Sequence, residues 1–587
     1  MSQKKYTMLF LFLFFSQLSY SFYCSQSIFV ARSQGTNAAR RISVADHQMP
    51  VEDTFYAFWV IPEFTRSYRA KEIAKALFGC NKLVFSGSRV ENRGCRDILA
   101  DYFGLPSDFK STVCFEPTIT NFLFDAGFTF NLDWVRDGTR LQFYAPFVHT
   151  RWDLGLCEKI VQKGEAFSPA GYFSGGNQRI DRDRLVCDVK TAFRGCKTFG
   201  DMQDPLRFGK ICGKKTKTEI AQMRTELFLD IKSGEKYYCD ASFMISAPTG
   251  TRVQSEYLFE PIVGANYHWQ LGFGLHGLWQ IYKQVCEQQE TKEGKSSLKK
   301  CPYPEVRRSC ALLLDLNFST LLPTRQRRSF DFKNVGRGSR YMLLSNMDTP
   351  RDDILQVPSG SSPAQQYTGH LFPAINKTTL CCDVYIPFQA DLLLGFSYKR
   401  DSWTFDIGYN LWARTKEHIK NRQCFESNKF ALKGDAQMYG FWRTFPDTGT
   451  DFFVPVALNA TQSKATIYSG QPDANGNFNA TYANLNADNP AIAVQNVTGT
   501  DLFAQTSVGP NVNGSNPAVL LKNCDIDDCS AISPGVSSSK LFFSSSYAFK
   551  RRDNWDPFVG FGAEIEFAHS CRALSQFGFW LNFGLSY

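Results

Sequence analysis

Residues 577–587 read FGFWLNFGLSY, and this stretch decides the fold class. Apolar or aromatic residues occupy every second position of it: Phe577, Phe579, Leu581, Phe583, Leu585 and Tyr587. The residues between them are small or polar, apart from Trp580. Because successive residues of a strand point to opposite faces, this pattern predicts a strand with one apolar face and one mostly polar face. Both a soluble β-sandwich and a membrane β-barrel use such a strand.

The stretch resembles the C-terminal signal strand of Gram-negative outer-membrane β-barrel proteins of the porin-like kind, which usually ends in an aromatic residue. The resemblance implies a place in the cell outer membrane, contact with outer-membrane lipid and recognition by the barrel assembly machinery. The six alternating residues would then be the assembly signal. No specific family within this class is indicated.

The beginning of the chain predicts export. Residues 1–21 contain Lys4 and Lys5, an apolar run and small residues at cleavage spacing, which is typical of a signal peptide. Residues 22–52 are polar and basic and are interpreted as a periplasmic N-terminal lead or a plug, with the barrel at 53–587. No later segment offers eighteen consecutive apolar residues, so a chain that spans lipid must do so as a closed barrel.

Alternation of apolar and polar residues predicts an all-β, closed, antiparallel transmembrane barrel of about 14 strands, within a range of 12–16. The fourteen predicted strands are 54–66, 118–134, 140–156, 218–231, 237–248, 256–282, 308–322, 382–399, 403–411, 430–444, 452–460, 541–550, 559–567 and 577–587. By rough arithmetic, fourteen strands give a backbone diameter of about 28 Å, which leaves room for a channel or a plug.

Connection lengths predict the orientation. Outer-membrane barrels have short periplasmic turns and long extracellular loops. Tight turns are predicted at 136–139, 233–236, 400–402 and 552–556, and long loops at 67–113, 157–216, 323–377 and 461–538. Counted back from the last strand, the turns all fall on the periplasmic side and the long loops all fall outside. Strand 577–587 should close the barrel by pairing with both 559–567 and 54–66.

The predicted function is a porin-like channel for passive diffusion of small hydrophilic solutes, with selectivity set by pore width and rings of charge. The predicted lumen-facing residues are polar or charged: Asp125, Asn131, Asp133, His149, Arg151, Asp153, Asp383, Asp391, Lys399, Asp406, Glu564 and Glu566. The chain carries a formal net charge of +9, which would weakly favour anions if the lumen followed it.

Two other functions stay open from the sequence. One is a transporter of hydrophobic compounds with residues 22–52 as an N-terminal hatch. The other is a structural surface protein or adhesin cross-linked through its 18 cysteines, although intramolecular disulfides are the simpler interpretation for an exported chain. The sequence also leaves open whether the barrel is a homo-oligomer such as a trimer.

No enzymatic site, cofactor or metal site is predicted. The seven histidines form no metal-binding spacing and no G-x-S-x-G nucleophile motif occurs, although an outer-membrane hydrolase need not carry one. His149, Arg151 and Asp153 share one face of a strand near its outer end and could form a constriction, a catalytic cluster or a charge-paired ladder at the rim. The spread of basic residues along an exported chain does not indicate nucleic-acid binding.

Overall fold

The computed structural model describes residues 26–45, 56–88, 90, 93–165, 182–234, 236–285, 306–348, 366–433, 439–444, 452–457, 465–469, 520–549 and 555–587. The predicted signal peptide, 1–21, lies outside these ranges. Among the described residues, no helix has the length and hydropathy needed to cross a membrane.

Twelve antiparallel strands form a closed wall. They are β1 (Tyr56–Ser67), β5 (Thr118–Asn131), β6 (Thr139–Asp153), β9 (Met223–Gly234), β10 (Tyr237–Ala247), β11 (Gln270–Val285), β12 (Val306–Ser329), β16 (Thr379–Arg400), β17 (Trp403–Arg414), β23 (Val536–Ala548), β24 (Asp556–Ala568) and β25 (Gln576–Ser586). Each pairs with its neighbours in chain order, and β25 pairs with β1 from Ala57↔Ser586 to Ser67↔Gln576. The predicted closing pair is therefore confirmed, because β25 also pairs with β24.

The wall has twelve strands, at the lower limit of the predicted range, because two predicted strands do not belong to it. Residues 430–444 hold β19 (Phe430–Leu432) and β20 (Tyr439–Thr444), and residues 452–460 hold β21 (Phe452–Ala457). A tilted strand needs about nine to eleven residues to cross a bilayer, so these three are too short. β19 pairs with a strand of an outer loop, and β20 pairs with β21. Twelve strands reduce the diameter to about 24 Å.

The outward face of the wall is apolar all the way round. Each wall strand exposes at least one large apolar side chain, for example Phe58, Phe122, Phe243, Ile407 and Phe579. Near the tight turns the exposed side chains become Trp and Tyr, including Trp134, Trp279 and Trp403. A continuous apolar belt bordered by aromatic residues is the surface of a barrel embedded in lipid, and in water it would cause aggregation.

The connections alternate in length as predicted. β5–β6, β9–β10, β16–β17 and β23–β24 are joined by short turns at one end of the barrel, which we call the inner end. The longer connections 68–117, 154–222, 330–378 and 415–535 leave from the opposite, outer end. The connector between β11 and β12, residues 286–305, lies outside the described residues, as does most of the predicted loop 461–538.

The described parts of the outer loops fold into a cap with its own hydrophobic core. Its buried side chains include Phe85, Phe103, Val113, Phe193 and Leu344. Its strands are β2 (Lys82–Ser86), β3 (Ile98–Leu99), β4 (Lys110–Phe115), β7 (Leu156–Gln162), β8 (Lys215–Ile220), β13 (Asp331–Phe332), β14 (Leu343–Asp348), β15 (Gln366–Pro373), β18 (His418–Lys420) and β22 (Ile526–Asp527), together with β19. Its helices are α2 (Ala70–Phe78), α3 (Val189–Arg194) and α4 (Ala374–Thr378). Helix α1 (Ala38–Ala45) belongs to the lumen instead.

Strands β12 and β16 are long enough to belong to both the wall and the cap. Where they pass from the wall to the cap, the side of each strand that faces the protein interior changes. Their pairing shifts between Ser319 and Thr324, opposite Pro387. An extra residue in a strand reverses the face on which every later side chain lies. In β16 the buried residues are accordingly Asp391, Leu393 and Ser397 below the shift, but Cys382, Val384 and Ile386 above it.

Candidate functional site: a lumen closed by residues 26–45

Residues 26–45 run through the barrel from the cap towards the inner end, and we call them the lumen segment. At the outer end, the backbone amide of Ser27 donates to the carbonyl oxygen of Ser530, and Phe29 packs against Trp152 in the cap core. At the inner end, helix α1 contacts β16, β17 and β23 to β25. The division into a lead at 22–52 and a barrel at 53–587 stays a prediction, since residues 22–25 and 46–55 lie outside the described ranges.

Arg32 ties the lumen segment to two strands near the outer end. Its guanidinium lies 2.6 Å from a carboxylate oxygen of Asp391 in β16 and 3.6 Å from one of Glu566 in β24. It also donates to the side-chain oxygen of Asn410 and lies over the ring of Trp412. The Arg32 side chain is only 6% exposed, so these contacts replace most of its water.

Arg40, in helix α1, makes the most buried of these contacts, with no exposed side-chain surface. It forms an ion pair with Glu63 of β1 and a second one, of 2.8 Å, with Asp125 of β5. Asn37, one turn earlier, donates to both Glu63 and Glu564. A buried cation of this kind is stable only where carboxylates surround it, as they do here.

Arg41 reaches the opposite side of the lumen. Its guanidinium lies 3.2 Å from Glu226 of β9 and 3.8 Å from Asp315 of β12. It also donates to the phenolic oxygen of Tyr144 at 3.5 Å. The three arginines thus contact six carboxyl groups on six different wall strands.

The apolar face of α1 packs on aromatic side chains that point inward from the wall. Ala38, Ala39, Ile42 and Val44 belong to one buried cluster with Trp59, Tyr144, Phe542, Phe558 and Trp580. Ser43 accepts a hydrogen bond from the indole nitrogen of Trp580, and its carbonyl oxygen accepts one from Asn582. The inner half of the lumen is therefore filled by the helix and these rings.

Four of the inward aromatic rings lie on glycines of the neighbouring strand. The cross-strand pairs are Trp59↔Gly127, Trp580↔Gly562, Phe542↔Gly408 and Phe558↔Gly584. A Cβ atom on Gly127 or on Gly562 would come within 2.2 Å of the facing indole ring. Because glycine has no Cβ atom, each aromatic ring can lie flat against the backbone of the neighbouring wall strand.

Five of the predicted lumen residues lie buried in the lumen: Asp125, Asp391, Asp406, Glu564 and Glu566. Asp406 accepts a hydrogen bond from Ser544, and Lys540 lies 2.7 Å from Glu564 and 3.9 Å from Glu566. Lys399 follows the same face of β16 near the inner mouth and is partly exposed. The alternation along each strand therefore identified these positions.

The other predicted lumen residues lie elsewhere. Asn131 and Asp133 contact each other at the inner turn after β5. His149 and Arg151 are exposed on the outward face of β6, since the residues between and beside them, Val148, Thr150 and Trp152, point inward. The remaining two pair at the surface, Asp153 with Lys214 at 3.8 Å and Asp383 with Arg325 at 3.2 Å.

The structure gives the physical reasons for these differences. Asn131 and Asp133 lie at the inner turn, beyond the membrane-spanning part of β5, whereas His149 and Arg151 share the outward face of β6 with Phe147. Asp383 shares the parity of Asp391, but the shift at Pro387 lies between them and places Asp383 on the outer side. His149, Arg151 and Asp153 form no enclosed constriction.

Four lumen carboxyl groups were not predicted from the sequence: Glu63, Glu226, Asp240 and Asp315. A usable signal existed, because each is acidic and alternates with apolar residues of its strand, as in Leu314, Asp315 and Leu316. The partners of Arg32, Arg40 and Arg41 were not predicted either, although the sequence shows that these arginines lie in a basic segment before the barrel.

The described cysteines are free thiols, and the exposed ones lie in the cap. The exposed set comprises Cys95, Cys157, Cys187, Cys196, Cys424, Cys524 and Cys529. Disulfide formation, cross-linking into a surface layer and trimer formation therefore stay predictions. No group of three or more potential metal ligands occurs among the described residues.

The fold and site define a transmembrane β-barrel of the outer-membrane class with an internal lumen segment. Phe579, Leu581, Phe583 and Leu585 of β25 face outward in it, while the assembly signal itself stays a prediction. No family model matches the chain, and no curated protein matches it in sequence.

Three solved structures of membrane barrels are similar in outline. An outer membrane channel from Pseudomonas putida F1 is 7% identical, with 92% of this chain and 99% of that chain covered and a TM-score of 0.29. The translocator domain of the autotransporter NalP from Neisseria meningitidis is 5% identical, with 93% of each chain covered and a TM-score of 0.26. A FadL homologue from Pseudomonas aeruginosa is 7% identical, covering 91% and 90%, with a TM-score of 0.24. Since these TM-scores are low, the fold class rests on the strand pairing and apolar belt of this chain alone.

Proposed function

We propose that this protein is an outer-membrane channel for the passive diffusion of small hydrophilic solutes, and that the lumen segment keeps it closed. The observation that carries the proposal is the set of ion pairs between Arg32, Arg40 and Arg41 and six wall carboxyl groups. Buried carboxyl groups need a cation, hydrogen-bond donors or water. A wall built in this way is suited to a wet lumen once the segment moves out.

The lumen segment is held by contacts that a change of conditions can release. Its ion pairs weaken where water and salt enter, because screening and a higher dielectric reduce charge attraction. Its backbone passes through the barrel without joining the wall as a strand. Leaving the lumen would therefore break side-chain contacts and leave the closed ring of strands intact.

Single-channel recording in planar bilayers tests the proposal. The test variant is the full chain with Arg32→Gln, Arg40→Gln and Arg41→Gln, which removes all three charges and keeps hydrogen-bonding side chains. The matched control carries Arg69→Gln, Arg96→Gln and Arg184→Gln, three exposed arginines of the cap. We expect rare openings in the wild type and the control, and stable open steps in the test variant. A test variant that migrates as a folded barrel on unheated gels, yet conducts no more than the control, contradicts the proposal.

A second candidate function is transport of hydrophobic compounds, and one observation favours it. The inner half of the lumen carries five buried aromatic side chains against the apolar face of α1. A small aromatic molecule could occupy this space in place of the helix. Uptake of toluene into cells with the wild type and with the exposed control Ile160→Asp, but not with Ile42→Asp, would support this function over the hydrophilic channel.

A further inference from the structure

We propose that the open lumen selects cations, and that it admits small solutes carrying ammonium or guanidinium groups at the sites which Arg32, Arg40 and Arg41 occupy in the closed state. This inference rests on the proposed channel function and names its class of solute. It is opposite in sign to the weak preference for anions that the net charge of +9 suggests.

The wall alone is acidic on its inner side. Six carboxyl groups pair with arginines of the lumen segment: Glu63, Asp125, Glu226, Asp315, Asp391 and Glu566. Three more, Asp240, Asp406 and Glu564, also face the lumen.

The basic groups on the same surface are fewer. Within the described wall, Arg140, Arg224 and Lys540 face the barrel interior between its two mouths. The His276 ring lies on the same surface, 3.3 Å from Asp315, and Arg414 at the outer mouth is offset by Glu417 at 4.0 Å. Nine carboxyl groups against three basic groups leave an acidic excess of six. Asp230 and Lys399 near the inner mouth offset each other. The three segment arginines halve the excess, and their departure restores it.

None of these three described wall cations is free to attract an anion. Arg140 pairs with Asp240, Arg224 lies 3.0 Å from Glu226, and Lys540 lies 2.7 Å from Glu564. Because each basic group already has a carboxylate beside it, an entering anion would meet a neutralised pair at best. The field of a narrow, low-dielectric tube is set by the charges on its wall, so this excess decides the sign.

Each vacated arginine site has a shape that favours a particular cation. Two carboxyl groups from two different strands converge on each guanidinium, with distances of 2.6 and 3.6 Å at Arg32 and of 3.2 and 3.8 Å at Arg41. Planar guanidinium groups and ammonium groups donate several hydrogen bonds and match such carboxylate pairs. The Arg32 site lies nearer the outer end, and the Arg40 and Arg41 sites lie on opposite sides of the lumen farther in, which gives a cationic solute successive binding positions.

The experiment measures ion selectivity and block on the full chain carrying Arg32→Gln, Arg40→Gln and Arg41→Gln. In a KCl gradient, we expect a reversal potential showing that K⁺ permeates several-fold faster than Cl⁻. We expect arginine methyl ester on the outer side to reduce the K⁺ current and glutamate at the same concentration to leave it unchanged. Adding Glu226→Gln and Asp315→Asn should lower the K⁺ to Cl⁻ permeability ratio by about twofold or more, since both carboxyl groups focus cations.

The possible outcomes separate this inference from the proposed function. Stable conductance with a preference for Cl⁻, or with no preference, overturns cation selection and leaves the channel function standing. A folded variant without conductance overturns both. If the triple variant does not assemble, the rare openings of the wild type serve instead, and Glu226→Gln with Asp315→Asn should lower the K⁺ to Cl⁻ permeability ratio of those openings. An unchanged K⁺ to Cl⁻ permeability ratio after Glu226→Gln and Asp315→Asn would also count against cation selection.

Discussion

The barrel wall and the cap bury opposite kinds of side chain within one chain. The wall exposes Phe, Leu and Ile outward and buries carboxyl groups, arginines and amides inside, whereas the cap buries Phe85, Phe103 and Phe193 in an ordinary hydrophobic core. In the wall, hydrogen bonds between strands and contacts across the lumen carry the structure, because lipid supplies no hydrophobic drive toward the interior. In the cap, apolar burial does so. The two regions should therefore fail independently and under different changes.

The largest effect is expected from filling a glycine beneath an inward ring. Gly127→Val would place side-chain atoms where the Trp59 indole lies, and overpacking of this kind costs about 3 kcal/mol or more. We expect the variant to lose the fast-migrating folded band on unheated gels. Gly277→Val is the matched control, since the nearest atom to its Cβ position is 3.8 Å away. A normal folded band for Gly127→Val would contradict the packing described for the lumen.

A truncated side chain in the cap core tests whether the cap can unfold while the barrel wall stays folded. Phe85 is fully buried and packs edge-on against Phe103 at 5.3 Å between ring centroids, so Phe85→Ala should cost about 3–5 kcal/mol. We expect limited proteolysis to cut the cap while the barrel band survives. Val161→Ala, at an exposed position of β7, is the control. Loss of the barrel band together with the cap would show that the two regions are one cooperative unit.

A fall in pH should weaken the cap through one buried histidine. Burial lowers the pKa of His268 to about 4, and its ring bonds to the carbonyl oxygen of Leu322 and to Gln326. Because the folded pKa lies below the unfolded value of about 6.5, the unfolded chain binds more protons between these values. The stability that neutral His268 contributes is complete above pH 6.5, and about 3 kcal/mol of it is lost as the pH falls from 6.5 to 4.

Guanidinium titrations at pH 7.5 and 4.5, followed by cap proteolysis, measure this loss. We expect His268→Gln to reduce the difference between the two pH values, because glutamine does not titrate. His149→Gln, at an exposed wall position, should leave the difference unchanged. An equal pH response in all three proteins would assign the loss to other groups.

The smallest effect concerns a thiol pair on the cap. Cys114 in β4 and Cys157 in β7 lie directly opposite each other across two antiparallel strands. Opposed residues of such strands have Cα atoms about 4.5–5.5 Å apart, within the range that a disulfide requires. We expect oxidised glutathione to join them and to raise cap stability by about 2 kcal/mol. Mass spectrometry of peptides from the non-reduced protein measures the bond, and its absence after oxidation, with both thiols still alkylated, would refute the pairing.

Sequence reasoning predicted the wall well because a lipid-facing strand must alternate over its whole length. It placed β25 between β24 and β1, and it placed all four tight turns at one end. It overcounted by two strands, since residues 430–444 and 452–460 carry apolar residues for other reasons: β19 packs in the cap, and β20 pairs only with β21. Local alternation does not distinguish a wall strand from a short strand in an outer loop.

Only part of the candidate site was predicted from the sequence. Asp125, Asp391, Asp406, Glu564 and Glu566 follow from strand alternation, because each lies on the polar face of a long strand. The pairing of Arg40 with Glu63 and Asp125 does not, since it depends on how residues 26–45 enter the barrel. Periodicity gives no information about a segment that does not pair with the wall.

The paired shifts at Pro323 and Pro387 have a consequence for where the bilayer ends. Below them β12 and β16 show apolar residues to lipid. Above them β16 turns Cys382, Val384 and Ile386 inward, whereas β12 buries Gln326 and Arg328. The two prolines therefore mark the level at which the lipid-facing part of these strands ends. Deleting Pro387 would shift this level by reversing every side chain of β16 above it, so that Cys382, Val384 and Ile386 would leave the protein interior while Asp383 turned into it.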